Sequence, residues 1–177
     1  KPAATWTEAL PVGNGTLGGM VFGTVNEELI QLNEATLWSG GPLRKNVNPS
    51  SPQYLQPLRN ALFNGEYDKA NSLAQKMQGL FSESYMPLGD LLIKQSFGTN
   101  QTSDYYRDLN IQDALATTKF SVNGVKFKRE VFVSAPDKVM IIRLTADKLK
   151  QLTVDVTAKS KLRYSLSGDH DLLVLKG

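Results

Sequence analysis

Cysteine is absent from all 177 residues, which excludes disulfides and thiolate metal centres and leaves the redox compartment open. Histidine occurs once, at His170, so no site that needs two imidazoles can be built. Its setting, Gly168-Asp169-His170-Asp171 between apolar runs, reads as a solvated turn, because a metal ligand needs several convergent partners. No metal site and no cofactor is expected. No apolar run approaches the roughly 20 residues of a membrane helix, and no signal peptide is visible. Twenty basic residues against 17 acidic ones give a net charge of +3. Without a dense Lys/Arg cluster, that balance argues against nucleic acid as a partner. Aromatic residues make up only 8%.

What is present is ordinary globular material: 41% hydrophobic residues, enough in a chain of this length for one domain with a sizeable core. The chain is organised around Trp6–Pro42. Two β-prone runs, Leu17–Val25 and Leu29–Leu32, are joined by Asn26-Glu27-Glu28, the pattern of a hairpin. Pro11, Gly13, Asn14 and Gly15 make a tight bend upstream. Asn33, Glu34, Thr36, Trp38 and Ser39 lead into the turn signal Gly40-Gly41-Pro42. Polar and aromatic groups on glycine-rich loops, held by a rigid scaffold, are where binding or domain contacts concentrate.

Helical grammar then interrupts the strands. Ser51 reads as an N-cap with Pro52 in the first helical position, and Leu55, Leu58 and Leu62 recur at helical spacing. Asn64-Gly65 stops this helix. A second, about Glu66–Gln78, sets Tyr67, Ala70, Ala74 and Met77 on one face and ends at Gly79. Such a hairpin of helices, about 52–79, reads as an insertion that covers a sheet or reaches a neighbouring domain. Strands follow at Leu91–Phe97, at Ala114–Val122 and at Val125–Val133, the last two flanking the hairpin signal Asn123-Gly124. Gly98–Asp104 is expected to be a loop. Val125, Phe127, Val131 and Val133 alternate with Lys126, Lys128 and Glu130, which implies one buried and one solvated face. Val139–Leu144 is apolar on both faces apart from Arg143 and predicts a central strand. Alternation at Leu152–Val156 and apolar runs near Leu162–Leu166 and Leu172–Leu175 predict further strands.

General acid–base chemistry in a chain with one histidine would fall to paired carboxyl groups. Glu8, Glu34, Asp90, Asp108 and Glu130 are the candidates, and each has a plainer reading: Asp90 caps a turn, Glu130 sits on a solvated face, Glu34 bonds amides of its own loop. Trp6, Trp38 and Tyr85 are the aromatic candidates for stacking on a sugar ring. Trp6 reads rather as a core plug or interface residue, whereas Trp38 keeps the polar company of Asn33, Glu34 and Thr36 that ligand pockets use. A phosphate-loop reading of Gly13–Gly19 fails, because no Gly-Lys-Ser/Thr ending follows and the glycines open a strand. Asn14-Gly15-Thr16 and Asn100-Gln101-Thr102 match the glycosylation sequon.

The strings EALPVGNGTLGGMVFG (Glu8–Gly23) and QLNEATLWSGGP (Gln31–Pro42), then YMPLGDL at Tyr85–Leu91, Tyr106-Arg107-Asp108-Leu109 and Arg129–Ser134, resemble in order the N-terminal domain of glycoside hydrolase family 95, the inverting exo-α-L-fucosidases. The resemblance covers nearly the whole chain. It implies a mainly β fold, an antiparallel β super-sandwich with the helical-hairpin insertion, spanning 1–177 as the N-terminal domain of a larger enzyme. It places the catalytic acid and water-positioning groups in a helical-barrel domain outside this chain, so no catalytic residue is expected here. Asn14, Asn33, Glu34, Thr36, Trp38 and Tyr85 are then expected at the substrate rim or the domain interface. The implied partners are the enzyme's own C-terminal catalytic domain and, through the full enzyme, a fucosylated oligosaccharide, with neither nucleic acid nor membrane. The implied location is secreted or periplasmic. Thr16, Ala35, Met86 and Asn110 stand where the family commonly has arginine, aspartate, glutamine and aspartate, and related members act on α-L-galactosides. A free-standing carbohydrate-binding module and a purely structural domain are the alternatives.

Overall fold

The computed structural model describes residues 1–40, 47–79, 83–98 and 101–177. The expected turn at Gly40–Pro42, the loop through Gly98–Asp104 and the sequon at Asn100 fall partly or wholly outside them. The chain divides into two compact units: Lys1–Leu37 with Met86–Gly177, and Trp38–Tyr85.

The first unit is antiparallel β throughout. Strands β1 (Leu10–Gly13), β2 (Leu17–Val21), β3 (Glu27–Glu34), β4 (Gly89–Lys94) and β9 (Asp155–Lys159) form one sheet in that order. Strands β5 (Ser103–Asn110), β6 (Leu115–Val122), β7 (Val125–Ser134) and β8 (Val139–Ala146) form a second, and β10 (Ser165–Asp169) pairs with β11 (Leu172–Lys176). The β6–β7 turn is Asn123-Gly124, both at positive φ (51° and 70°), as the dipeptide predicts.

The two larger sheets face each other. Val12, Val21 and Ile30 from the first pack with Ala116 and Val131 from the second, with Leu91, Met140 and Ile142 around them. A second cluster stacks Phe120 on Phe127 at 5.4 Å beside Val122, Val125 and Phe97. Removing a ring of this kind costs about 3–5 kcal/mol. The mainly β, antiparallel expectation therefore holds, helices included.

Three expectations are corrected. The β2–β3 connection is Phe22–Asn26 rather than Asn26–Glu28: β2 ends at Val21 and β3 already begins at Glu27. Gly23, at φ 72°, turns the chain there. Secondly, β8 lies at an end of its sheet and is not central. Its inward Met140 and Ile142 pack on the core, while Arg143 faces outward to Glu130. Thirdly, the expected loop Gly98–Asp104 gives way to strand already at Ser103, where β5 begins, and Tyr105 and Arg107 of that strand donate to the carbonyls of Gly23 and Phe22.

The second unit is a helical hairpin, α1 (Ser51–Phe63) and α2 (Tyr67–Met77). Ser50, rather than Ser51, holds the N-cap position, without a side-chain cap bond. Its most buried residues are Ala61 and Ala70, small side chains that let the helices approach closely. The leucine stripe is not its core: Leu55, Leu62, Phe63 and Tyr67 are all exposed.

Candidate functional site

Strand alternation sorts the five-stranded sheet into two faces. With Val12, Val21 and Ile30 turned into the sandwich, residues Pro11, Met20, Gln31, Asp90 and Lys159 stand in direct register across all five strands on the other face. They line a cleft of about 530 Å³ together with Trp6, Gly18, Asn33, Pro87, Ser160 and Lys161. That volume falls within the range of roughly 300–1,000 Å³ for small-molecule sites.

The cleft is held from two directions. Trp6 opens a short 3-10 turn, Trp6–Glu8, whose flanking Ala3 and Ala9 are buried against Phe22 and lean on Met20 and Leu29. The Glu8 carbonyl accepts from Arg107 Nη2 at 3.0 Å, and the Glu8 carboxylate accepts from the Ala4 amide at 2.6 Å. That amide bond, with the Lys1 charge next, holds the Glu8 carboxyl below its ordinary value. Trp6 is thereby fixed in backbone while its side chain is 60% exposed, so it is no core plug. Across the floor, Gln31 Nε2 donates to Asp90 Oδ1 at 3.2 Å. At the far end a Cβ on Gly89 would meet the Lys159 carbonyl at 2.5 Å, so glycine is required for β9 to close on β4.

The site residues expected from sequence are dispersed. Asn33 lines the cleft. Asn14 is a structural tie: its Oδ1 accepts from the Thr16 and Leu17 amides at 3.0 and 2.8 Å, and its Nδ2 donates to the Ser134 carbonyl at 3.0 Å. A sequon glycan would need that same nitrogen. Glu34 Oε2 accepts from the Thr36 amide and hydroxyl at 2.9 and 2.6 Å, the loop-bonding role anticipated for it. Trp38 and Tyr85 belong to the second unit, where they form a lone bridge and an edge-to-face ring pair at 5.1 Å. Nothing in the local pattern singles out Gln31, Lys159 or Lys161. The signal that could have found them is cross-strand register, which pairs residues far apart in the chain.

Two of the candidate carboxylates share a different face. Asp108 and Glu130 both register with Thr117 on the outside of the four-stranded sheet, two strand spacings apart, about 10 Å. Glu130 is occupied there by Lys128 at 2.5 Å and Arg143 at 3.9 Å. Among the described residues no cluster of His, Cys, Asp and Glu could hold a metal ion.

Inside the sandwich lies a buried polar node. Arg129, inward by the alternation of Phe127 and Val131, bonds Glu28 Oε2 at 3.2 Å, Gln95 Oε1 and the carbonyls of Thr24 and Val25, with its guanidinium 4.9 Å from the Phe120 ring centre. Glu28 Oε1 accepts from the Gly23 amide at 2.7 Å. Burial pushes the Glu28 carboxyl up and the Arg129 guanidinium down from their ordinary values, and their attraction opposes both shifts. Among the described residues every buried side-chain polar atom has a partner.

Comparison with known proteins fixes the family. Residues 1–177, the whole chain, match the profile described as "Glycosyl hydrolase family 65, N-terminal domain". The chain belongs to that family. It is 35% identical to "Alpha-L-fucosidase 2" of Arabidopsis thaliana over 92% of its own length and 20% of the relative's. It is 31% identical to "Probable alpha-fucosidase A" of Aspergillus niger over 80% of its length and 18% of the relative's. A protein of the same name from Aspergillus oryzae is 29% identical over 99% of the chain and 25% of the relative. The profile's description carries the number 65 where the motifs resembled family 95, and the relatives are named for the fucosidase activity of the latter. The chain spans about a fifth to a quarter of the length of these relatives.

Proposed function

We propose that this chain is the N-terminal domain of an exo-acting α-L-fucosidase-like glycoside hydrolase, that it braces a separate catalytic domain, and that it supplies no catalytic acid or base of its own. The observation that carries this reading is the local employment of its carboxylates. Glu8, Glu34 and Glu130 are each held by backbone amides, hydroxyls or lysine and arginine side chains of their own neighbourhood, and Asp90 is bonded to Gln31. Inverting hydrolysis needs one carboxylic acid that gives its proton to the leaving oxygen and one base that activates water on the opposite ring face. Carboxylates fixed as turn and strand partners are poorly suited to either task. The fucosidase names of the relatives support the substrate class, a terminal α-L-fucoside of an oligosaccharide. The exposed Phe63 and Tyr67 of the helical hairpin offer the apolar surface that a brace would bury, with Trp38 and Tyr85 as further interface residues.

The test is an aryl α-L-fucoside assay on two proteins. The 177-residue chain alone is expected at background. A chimera in which it replaces the matching N-terminal fifth of the plant relative is expected to keep that enzyme's turnover. Turnover by the chain alone, lost on Glu34→Ala or Asp90→Ala, would relocate the chemistry into this domain and defeat the proposal.

A further inference from the structure

The brace reading draws on Phe63, Tyr67, Trp38 and Tyr85, and the cleft on the outer face of the five-stranded sheet presents other residues. Its chemistry points to a ligand class. One end presents an indole ring, 60% exposed yet carried on a backbone turn anchored by Ala3, Ala9 and the Arg107–Glu8 bond. The floor presents a planar amide and a planar carboxylate in register, Gln31 and Asp90, bonded to each other. That bond uses one donor of the amide and one acceptor site of the carboxylate, and the inventory of both groups leaves further donors and acceptors. Neighbouring strands set such groups about 4.8 Å apart. An aromatic platform beside side chains that both give and take hydrogen bonds matches a pyranose, which offers an apolar CH face and a ring of hydroxyls. The carboxylate in the floor disfavours phosphate and nucleic acid, and the polar row disfavours a purely apolar ligand.

We propose that this cleft is a saccharide-binding site that takes a pyranose unit of an oligosaccharide. Trp6 stacks on the ring, Gln31 and Asp90 bond adjacent hydroxyls, and Lys159 and Lys161 border the far end. Nothing covalent happens there. The site's function is to hold glycan close to the enzyme, which raises local substrate concentration without adding to the chemistry. A single open cleft with one aromatic ring gives weak binding, in the millimolar range, because association costs consume most of the contact energy.

The experiment is a titration of the 177-residue chain, labelled with ¹⁵N, with 2′-fucosyllactose and separately with lactose. Only the choice of the fucosylated probe rests on the proposed function; lactose tests the cleft without it. Saturating shifts of the Trp6 indole N–H and the Gln31 side-chain amide are expected with at least one of the two sugars. Trp6→Ala and Asp90→Ala are each expected to weaken binding at least tenfold, with a dispersed spectrum confirming that the fold persists. Trp38→Ala is expected to leave it unchanged. Shifts that stay linear to tens of millimolar with both sugars would overturn the proposal. So would saturable binding that survives both Trp6→Ala and Asp90→Ala. Either result leaves the fucosidase assay, and the reading it tests, untouched.

Discussion

Two connections in the β unit are secured in opposite ways. Between β2 and β3, the carbonyls of Phe22, Gly23, Thr24 and Val25 are taken in succession by Arg107, Tyr105 and Arg129, residues some 80 to 105 positions away in the chain. Between β10 and β11, the two-residue turn His170-Asp171 is closed by the strand ladder, with a local contact from His170 Nδ1 to Asp169 Oδ1 at 2.7 Å and His170 at positive φ (52°). The first link is irregular, and its satisfied carbonyls let Phe22 and Gly23 be buried and Thr24 and Val25 be half-buried. The second is a regular hairpin with good β residues, yet Leu172, Leu173 and Val174 stay exposed. Burial here follows from what the opposite sheet supplies, and local β propensity decides little.

The largest effect should come from breaking the first clamp. Arg129→Met would leave the Glu28 carboxylate, the Gln95 amide and two backbone carbonyls without their partner inside the sandwich. Stripping one member from a buried ion pair costs about 3–5 kcal/mol, a large share of the stability of a domain this size. Urea unfolding should show the midpoint falling accordingly, or the chain failing to fold. Arg129→Met combined with Glu28→Gln should recover part of the loss, because the charge that was left unpaired is gone. Equal losses in the single and double variants would show that the bonds to Thr24 and Val25 matter more than the ion pair.

Tyr105 tests the same clamp by pH, with a smaller expected effect. Its hydroxyl donates to the Gly23 carbonyl at 2.7 Å, and burial, the main cause, pushes its pKa up to about 12 from the ordinary 10.0. A phenol whose pKa is raised in the fold adds stability that is present in full below about pH 10 and is lost as pH rises towards 12. Since the side chain is partly in contact with solvent, the contribution is about 1 kcal/mol or less once screening is allowed for. Thermal unfolding of Tyr105→Phe should therefore differ most from the parent at neutral pH and converge with it near pH 12. A gap that stays constant with pH would remove Tyr105 ionisation from the account.

The contrast also explains what could be read from residues alone. Alternation in Val125–Val133 and the Asn123-Gly124 turn are local signals, and both strands and their turn came out where expected. The same alternation places Arg129 inward, but only the structure supplies Glu28, Gln95 and the Phe22–Asn26 carbonyls that make a buried guanidinium tolerable. In β5, likewise, the polar ends of Tyr105 and Arg107 serve distant carbonyls that no local pattern shows. The leucine spacing of α1 marks a helix where one stands, and helical spacing identifies a face without saying what covers it. The outer cleft was legible only in pieces. Trp6, Asn33 and Asp90 drew attention singly, and the register Gln31–Asp90–Lys159 that joins them spans more than a hundred residues of chain.

The smallest expected effect is at the second link. In β11, Leu172 and Val174 share one face, while Leu173 and Leu175 share the other, and Leu175 borders a small cavity with Leu32 of β3 and Leu88, which precedes β4. The Leu172 face therefore has the fewest reasons to resist substitution, and Leu172 itself is 61% exposed. Leu172→Thr introduces a β-branched residue suited to a strand and removes apolar surface that contributes little when wet. Its unfolding free energy should change by no more than about 0.5 kcal/mol, the range of ordinary surface changes. Sedimentation at high protein concentration should show unchanged or reduced self-association, because an exposed apolar edge strand invites pairing with another chain. A loss above about 1 kcal/mol would mean that Leu172 is held by side-chain packing, and the two links would then differ in the distance of their partners rather than in having them.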